Sequence, residues 1–169
     1  MTSLSRLPDD SRVWVFGASR ALADAEIARA DSALAGFLPG WAAHGASLRT
    51  GHEVLERRFL VVAVDERSAG ASGCSIDALA RHVEALGRAL DVDLLGGGRI
   101  WYRVGEEIEC CDRAEFRARA SRGEITASTP VFDTTLTDLR GLRGGGFERP
   151  AGSSWHARLL PSTGVAGGA

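Results

Sequence analysis

Residues Phe59 to Val64 read FLVVAV, and this run determines how the rest of the chain can be arranged. A strand with one solvent-facing side alternates apolar and polar residues, whereas a strand covered on both faces is apolar throughout. The run therefore predicts the central strand of a sheet. The acidic residues Asp65 and Glu66 end it.

Two further strands are predicted upstream of this run. The segment from Ala46 onward suits a strand that turns back near residues 56–58 and then pairs with the central strand. RVWVF, at residues 12–16, clusters β-branched and aromatic residues before Gly17. This cluster predicts the first strand of the chain.

An amphipathic helix is predicted between the first strand and the segment that begins at Ala46. Apolar residues recur there at three- and four-residue steps from Leu22 to Trp41. Pro39 cannot continue a regular helix, because its ring clashes with the preceding turn. We therefore expect the helix to end near Leu38 or to kink before Trp41.

The helix that follows FLVVAV is the clearest element of the sequence. A loop of small residues, RSAGASGCS at residues 67–75, leads into it. Ser75 is a good N-cap residue, and Asp77 adds an acid to the first turn. The apolar stripe of this helix consists of Ile76, Leu79, Val83, Leu86 and Leu90.

The later part of the chain predicts a hairpin and a short helix. IWYRV (residues 100–104) and EIECC (residues 107–111) flank Gly105 and Glu106 and predict two paired strands. Asp112 with Glu115 forms an N-cap and a first-turn acid for a helix to about Ser121. Residues 129–146 predict only a brief extended piece and one helical turn.

The order of these elements predicts an α+β fold. Strand, helix, strand, strand, helix, strand is the order of a ferredoxin-like split βαβ sandwich, to which a C-terminal hairpin and short helices would be added. A chain of 169 residues suits one domain. We expect a single α+β domain over residues 1–160 and a flexible tail over residues 161–169.

Composition and charge restrict the partners and the compartment. A net charge of −2 provides no broad positive field, so neither nucleic acid nor a membrane is expected as a partner. The three cysteines are odd in number and lack the spacing of a secreted disulfide framework. We therefore expect reduced thiols and a cytoplasmic protein.

All twenty basic residues are arginine, and the chain contains no lysine. A Walker A phosphate loop and the Schiff-base chemistry of pyridoxal phosphate enzymes both require a lysine amine. Both mechanisms are therefore excluded. No motif identifies a cofactor.

The segment from Ala63 to Asp77 is the best candidate for a binding site. It joins a central strand to a helix N-terminus, where backbone amides and the helix dipole attract anions. The residues expected to hold a small anionic ligand such as phosphate or carboxylate, or a protein partner, are Gly70, Ser72, Gly73 and Ser75, with Ser68 starting the loop. Glycine and serine are, however, also what an ordinary turn and N-cap require.

An alternative hypothesis makes this segment the site of a cysteine-dependent enzyme. Cys74 would be the nucleophile, because a helix N-terminus favours its thiolate. His44 would be the base, and Asp65 or Asp77 would orient it or cap the site. A purely structural interpretation treats Cys74 as a small buried hydrophobic residue.

The remaining histidines and cysteines support other roles. His156 follows Trp155, and Ser153 or Ser154 can cap a terminal turn there, so His156 is either part of a ligand site or part of a docked C-terminal anchor. Neither CxxC nor HExxH spacing occurs, so no metal site is predicted. A third interpretation is a self-associating domain, if apolar side chains form one exposed patch.

Five strings of the sequence resemble a family of small bacterial proteins. They are WAAHG (residues 41–45), AVDE (63–66), SGCSID (72–77), VFDT (131–134) and SWHAR (154–158), and SGCSID is the most distinctive. The resemblance covers residues 7–160 and implies a shared fold and a shared site that draws on His44, Asp65, Cys74, Asp77 and His156. Some members of the family are labelled ABC transporter ATPases, a label that does not fit a chain without lysine or a Walker A motif.

Overall fold

The computed structural model describes residues 4–43, 45–67 and 69–161. The described residues divide into two compact units. Unit 1 takes its residues from 4–97 and 134–147, and unit 2 takes its residues from 98–133 and 148–161. The predicted single domain stays a prediction, and residues 162–169 of the predicted tail lie outside the described residues.

The FLVVAV run is the central strand of the sheet in unit 1, as predicted. The sheet consists of β1 (Arg12–Gly17), β4 (Arg49–Leu55) and β5 (Phe59–Asp65), and its order is β1-β5-β4 with every pair antiparallel. Two shorter strands, β2 (Ala42–Ala43) and β3 (Ala46–Ser47), pair with each other before β4 begins. All seven residues of β5 are buried, because both faces of the sheet are covered.

Alternate residues of β5 contribute to two different cores. Leu60, Val62 and Val64 pack with helix α1 (Asp24–Phe37) and helix α2 (Gly73–Leu90). Val61 and Ala63 point to the opposite face and pack with the apolar residues Leu4, Leu7, Val13 and Leu139. This alternation explains why β5 must be apolar at every position except its last.

The helices of unit 1 agree with the sequence except at one cap. Helix α1 ends at Phe37 and passes into a 3-10 turn, Leu38–Gly40, as Pro39 predicts. Helix α2 begins at Gly73, and its N-cap is Ser72 rather than Ser75. Ser72 is extended and its Oγ accepts from Ser75 N at 3.2 Å, whereas Ser75 already lies inside the helix. The predicted cap was wrong because either serine satisfies the sequence rule, and only the backbone geometry separates them.

Unit 2 contains a second antiparallel sheet with the order β7-β6-β8-β9. Its strands are β6 (Ile100–Val104), β7 (Glu107–Cys111), β8 (Pro130–Phe132) and β9 (Glu148–Pro150), with helix α3 (Arg113–Ser121) and a terminal 3-10 helix, Trp155–Leu159. The predicted β6–β7 hairpin is confirmed. The predicted N-cap of α3 is also confirmed, because Asp112 Oδ1 accepts a hydrogen bond from Glu115 N at 2.8 Å.

The α+β class is confirmed, but the ferredoxin-like arrangement is not. The first three strands have the antiparallel order that the split βαβ sandwich requires. The predicted fourth strand, β6, pairs instead with β7 and β8 in the second sheet. The edge of β1 is bound by the segment before the short helix α4 (Leu139–Gly141), since Val13 N donates to Thr137 O at 2.9 Å.

No helix in the described ranges combines the length and the apolar character needed to cross a membrane.

Candidate functional site

Asp65 closes strand β5 and begins the candidate segment. It is 4% exposed, and Arg67 binds both of its carboxylate oxygens, through Nε and Nη2, at 2.8 Å each. Arg49 Nη1 adds a third contact at 3.0 Å. The hydrogen bonds from Arg67 hold the pKa of Asp65 well below its usual range. Asp65 is therefore a fixed anion that joins β4 to the start of the loop.

The next residue, Glu66, folds the loop onto itself. Glu66 Oε1 accepts a hydrogen bond from Ala71 N at 3.0 Å and lies 3.7 Å from Arg12 Nη1. A Cβ atom placed on Gly70 would lie 3.6 Å from the same oxygen. A carboxylate of the chain itself thus already occupies part of the glycine-rich loop.

The first turn of α2 leaves two backbone donors open. Ser72 satisfies two amides, because its Oγ accepts from Ser75 N at 3.2 Å and its carbonyl accepts from Ile76 N at 3.0 Å. The amides of Gly73 and Cys74 donate to no other residue in the described part of the chain. Both residues are exposed, and a Cβ atom on Gly73 would meet nothing within 4 Å. An anion could therefore approach these two amides.

Trp41 packs under the first turn of α2 and forms a hydrogen bond with it. Its indole Nε1 donates to Ser75 O at 2.7 Å, and the side chain is buried, with 2% of its surface exposed. Strand β2, which follows Trp41, also contacts α2. The residues that precede position 44 therefore lie beside the first turn of α2.

Two of the predicted site residues, His44 and Ser68, lie outside the described residues, so the Cys74–His44 pair stays a prediction. Asp77 is exposed at the fifth position of α2, and its side chain forms neither an ion pair nor a hydrogen bond with the residues that the structure describes.

His156 belongs to unit 2 and is buried at 1% exposure. Its Nδ1 lies 2.8 Å from Ser154 Oγ, and its ring stacks on Trp155 with a centroid distance of 3.9 Å. Burial lowers the pKa of His156 to about 4. Ser154 caps the terminal 3-10 helix through His156 N, at 3.2 Å, as one of the sequence interpretations expected.

The other two described histidines have structural partners in unit 1. His52 Nε2 lies 2.9 Å from Asp31 Oδ1. His82 stacks on Phe37 at 4.3 Å, and its Nε2 lies 3.2 Å from Ala33 O. Over the described ranges, no group of three or more histidine, cysteine or acidic side chains is placed to hold a metal ion.

The structure also identifies clefts that the sequence did not indicate. One cleft of about 390 Å³ lies at the C-terminal end of α2, and another of about 430 Å³ lies between α1 and α2. A third, of about 260 Å³, runs along residues 48–52 beside Leu38 and Pro39. None of these three clefts includes Cys74 or the loop before it. Gly73 and Cys74, in the first turn of α2, are exposed.

Sequence analysis did not predict four contacts at this site. They are those of Trp41 with Ser75, of Arg49 and Arg67 with Asp65, and of Glu66 with Ala71. Arg49 lies directly opposite Asp65 in the β4–β5 hairpin, so the turn predicted near residues 56–58 was the signal that could have identified it.

Comparison with protein-family models, with curated proteins and with solved structures finds no match to this chain. The resemblance to the small bacterial family stays a prediction.

Proposed function

We propose that the chain binds a small oxyanion, such as phosphate or a carboxylate, at the first turn of α2. The observation that carries the proposal is the pair of exposed amides of Gly73 and Cys74, which have no acceptor among the described residues. Helix α2 has eighteen residues, so its dipole adds a positive potential at this end. Two adjacent donors suit two oxygens of one anion.

The local charges predict weak and selective binding. Arg67 and Arg49 are both bound to the single carboxylate of Asp65, so the three side chains together contribute only one net positive charge. The carboxylate of Glu66 lies in the preceding loop and repels an incoming anion. We therefore expect millimolar affinity, with a singly charged carboxylate or phosphate preferred over a highly charged nucleotide.

The test removes one amide without disturbing the helix. Gly73 is the first residue of α2, a position that favours proline, and Ser72 before it has the extended conformation that proline requires of its neighbour. Gly73→Pro therefore deletes one donor, whereas Gly73→Ala keeps it and serves as the matched control. We expect Gly73→Pro to weaken phosphate binding at least about fivefold and Gly73→Ala to change it less than about twofold.

The measurement is an NMR titration in which the backbone amide signals are followed as inorganic phosphate or, separately, acetate is added. Saturable shifts at Gly73 and Cys74 are expected in the wild type. Equal affinities of the proline and alanine variants would contradict the proposal. So would unchanged shifts at these two amides in about 50 mM ligand, a concentration about tenfold above a dissociation constant of about 5 mM.

A second candidate function, a cysteine-dependent enzyme, is favoured by the position of Cys74. The thiol is exposed in the first turn of α2, beside the strand that leads to position 44. Asp65 is not available to orient the base, because Arg67 binds both of its carboxylate oxygens. The acid of such an enzyme would have to be Asp77, which lies three residues after Cys74 in α2 and therefore on a neighbouring part of its face.

Alkylation of the native protein separates these two functions. We expect iodoacetamide to label exposed Cys74 in the folded chain, while buried Cys111 reacts only in denaturant and serves as the internal control. Peptide mass spectrometry resolves the two sites. A rate that rises about tenfold per pH unit from 6 to 8 indicates an ordinary thiol, whereas a fast, pH-independent rate indicates a thiolate and favours the enzyme.

A further inference from the structure

The cleft of about 260 Å³ beside β4 lies between the C-terminal part of α1, the turn after it and the edge of the strand. Its apolar wall consists of Leu38, Pro39 and Leu48. Leu48 N donates to Trp41 O at 3.3 Å, so the backbone of residue 41 covers the strand edge at residue 48. This contact leaves no space there for a long extended segment. The cleft is therefore suited to a small molecule.

His52 is the buried polar side chain of this cleft. The side chain is 5% exposed, and its Nε2 lies 2.9 Å from Asp31 Oδ1 on α1. A carboxylate only accepts hydrogen bonds, so in the neutral imidazole Nε2 carries the proton and Nδ1 is an acceptor. Nδ1 has no hydrogen-bond partner within the described ranges. Asp31 therefore fixes His52 as an acceptor for an incoming donor.

The free nitrogen of His52 is accessible. In the described part of the chain, Ser11 Oγ is the only fully buried side-chain nitrogen or oxygen without a partner, so Nδ1 retains some exposed surface. Thr50 lies on the same face of β4 as His52, because both stand opposite β5 residues that pack with the helices. The Thr50 hydroxyl likewise has no partner among the described residues. Two unpaired polar groups thus border the apolar wall.

The charges around the cleft favour a neutral ligand. Arg49 contributes to the lining, but its side chain points to the opposite face of β4, where it binds Asp65 Oδ2 and Arg6 O at 3.0 Å each. Asp31 is held by His52. A charged ligand would lose its hydration against the apolar wall without gaining a counter-ion from the lining residues.

We propose that this cleft binds a small neutral ring compound with a hydroxyl group, of which phenol is the simplest example. The hydroxyl donates to His52 Nδ1, and the ring packs against the apolar wall. A cavity of about 150 Å³ is large enough for benzene, so a cleft of about 260 Å³ accommodates a ring with substituents. The site is separate from the first turn of α2 and does not depend on anion binding there.

The test is an NMR titration of the full chain with phenol and, separately, with fluorobenzene, which has a similar size but no donor. We expect saturable amide shifts at residues 48–52 and a dissociation constant on the order of 1 mM for phenol, because one ring and one hydrogen bond supply little binding free energy. Fluorobenzene should bind at least about fivefold more weakly, since it cannot donate to His52 Nδ1. Equal affinities for the two compounds overturn the proposal, as do unchanged shifts in about 10 mM phenol.

A pair of variants on α1 locates the ligand. Ala35 lines the cleft, so Ala35→Leu fills it, whereas Ala28→Leu makes the same change at an exposed position of the same helix and is the matched control. Only Ala35→Leu should lose phenol binding. Circular dichroism shows whether each variant is folded. A folded Ala35→Leu chain that binds phenol as the wild type does contradicts the proposed site, and so does an equal loss in both variants.

A third variant tests the role of Asp31 as a positioning residue. Asp31→Asn keeps a hydrogen bond to His52 but no longer fixes the proton on Nε2, because an amide donates as well as accepts. We expect the preference for phenol over fluorobenzene to fall at least about twofold, while the affinity for fluorobenzene stays the same. A purely structural role of Asp31 would weaken both compounds equally, and that result would refute the proposed hydrogen bond to Nδ1.

Discussion

Replacing Trp41 by alanine is expected to lower the free energy of unfolding of unit 1 by about 3–5 kcal/mol, the cost of deleting a large buried aromatic side chain. Trp41 is 2% exposed and packs edge-on against Trp14, with the ring centroids 5.7 Å apart. Its Nε1 also donates to Ser75 O. The substitution therefore leaves a cavity between the 3-10 turn after α1 and the first turn of α2.

Trp41→Phe separates the two contributions. Phenylalanine keeps most of the apolar volume but has no donor for Ser75 O, so we expect a loss of about 1–2 kcal/mol. Chemical denaturation followed by far-ultraviolet circular dichroism measures both variants. An alanine variant within about 1 kcal/mol of the wild type would show that Trp41 does not hold the first turn of α2 in solution, since a cavity of that size costs more.

Acidification from pH 6.5 to pH 4 is expected to remove about 3 kcal/mol of stability from unit 2 through His156. Burial lowers the pKa of His156 to about 4, from 6.5 in an unfolded chain; Arg113 lowers it further, and Asp133 partly opposes the shift. In this window the unfolded chain binds a proton that the folded unit does not. The stabilisation is therefore complete above pH 6.5 and is lost as the pH falls toward 4, at about 1.4 kcal/mol per pKa unit.

Carboxylates change the free energy of unfolding in a lower pH range, so the contribution of histidine can be measured separately. The hydrogen bond from Arg20 lowers the pKa of Glu26 to about 2, so the stability from that pair is lost only as the pH falls below about 4.5. Denaturation curves between pH 5 and 7 thus report mainly on histidine.

His156→Phe should flatten the pH dependence of unit 2 between pH 5 and 7, since phenylalanine does not titrate. His82→Gln, a change in unit 1, is the control and should leave that dependence intact. If the wild type is equally stable at pH 5 and pH 7, the His156 ring is reached by water and the buried position is wrong.

Much of the fold could be predicted because it depends on local periodicity. FLVVAV predicted a strand buried on both faces, and β5 is buried along its whole length. Asp112 predicted the start of α3, because an N-cap is a contact between residues three apart in the chain. The start of α2 after this glycine-rich loop was also predicted, since small residues before an apolar stripe mark a helix N-terminus.

The sequence by itself determined which segments are strands and helices, which faces are apolar, and that no lysine chemistry is possible. Only the tertiary structure decided that β6 joins the second sheet, that Asp65 is bound by Arg49 and Arg67, and that Glu66 folds onto Ala71. The physical reason is that a strand presents the same backbone groups to any edge, and an arginine can pair with any carboxylate within reach. The choice of sheet edge therefore depends on distances between segments far apart in the chain, and the choice of side-chain partner depends on side-chain conformation. Periodicity contains neither.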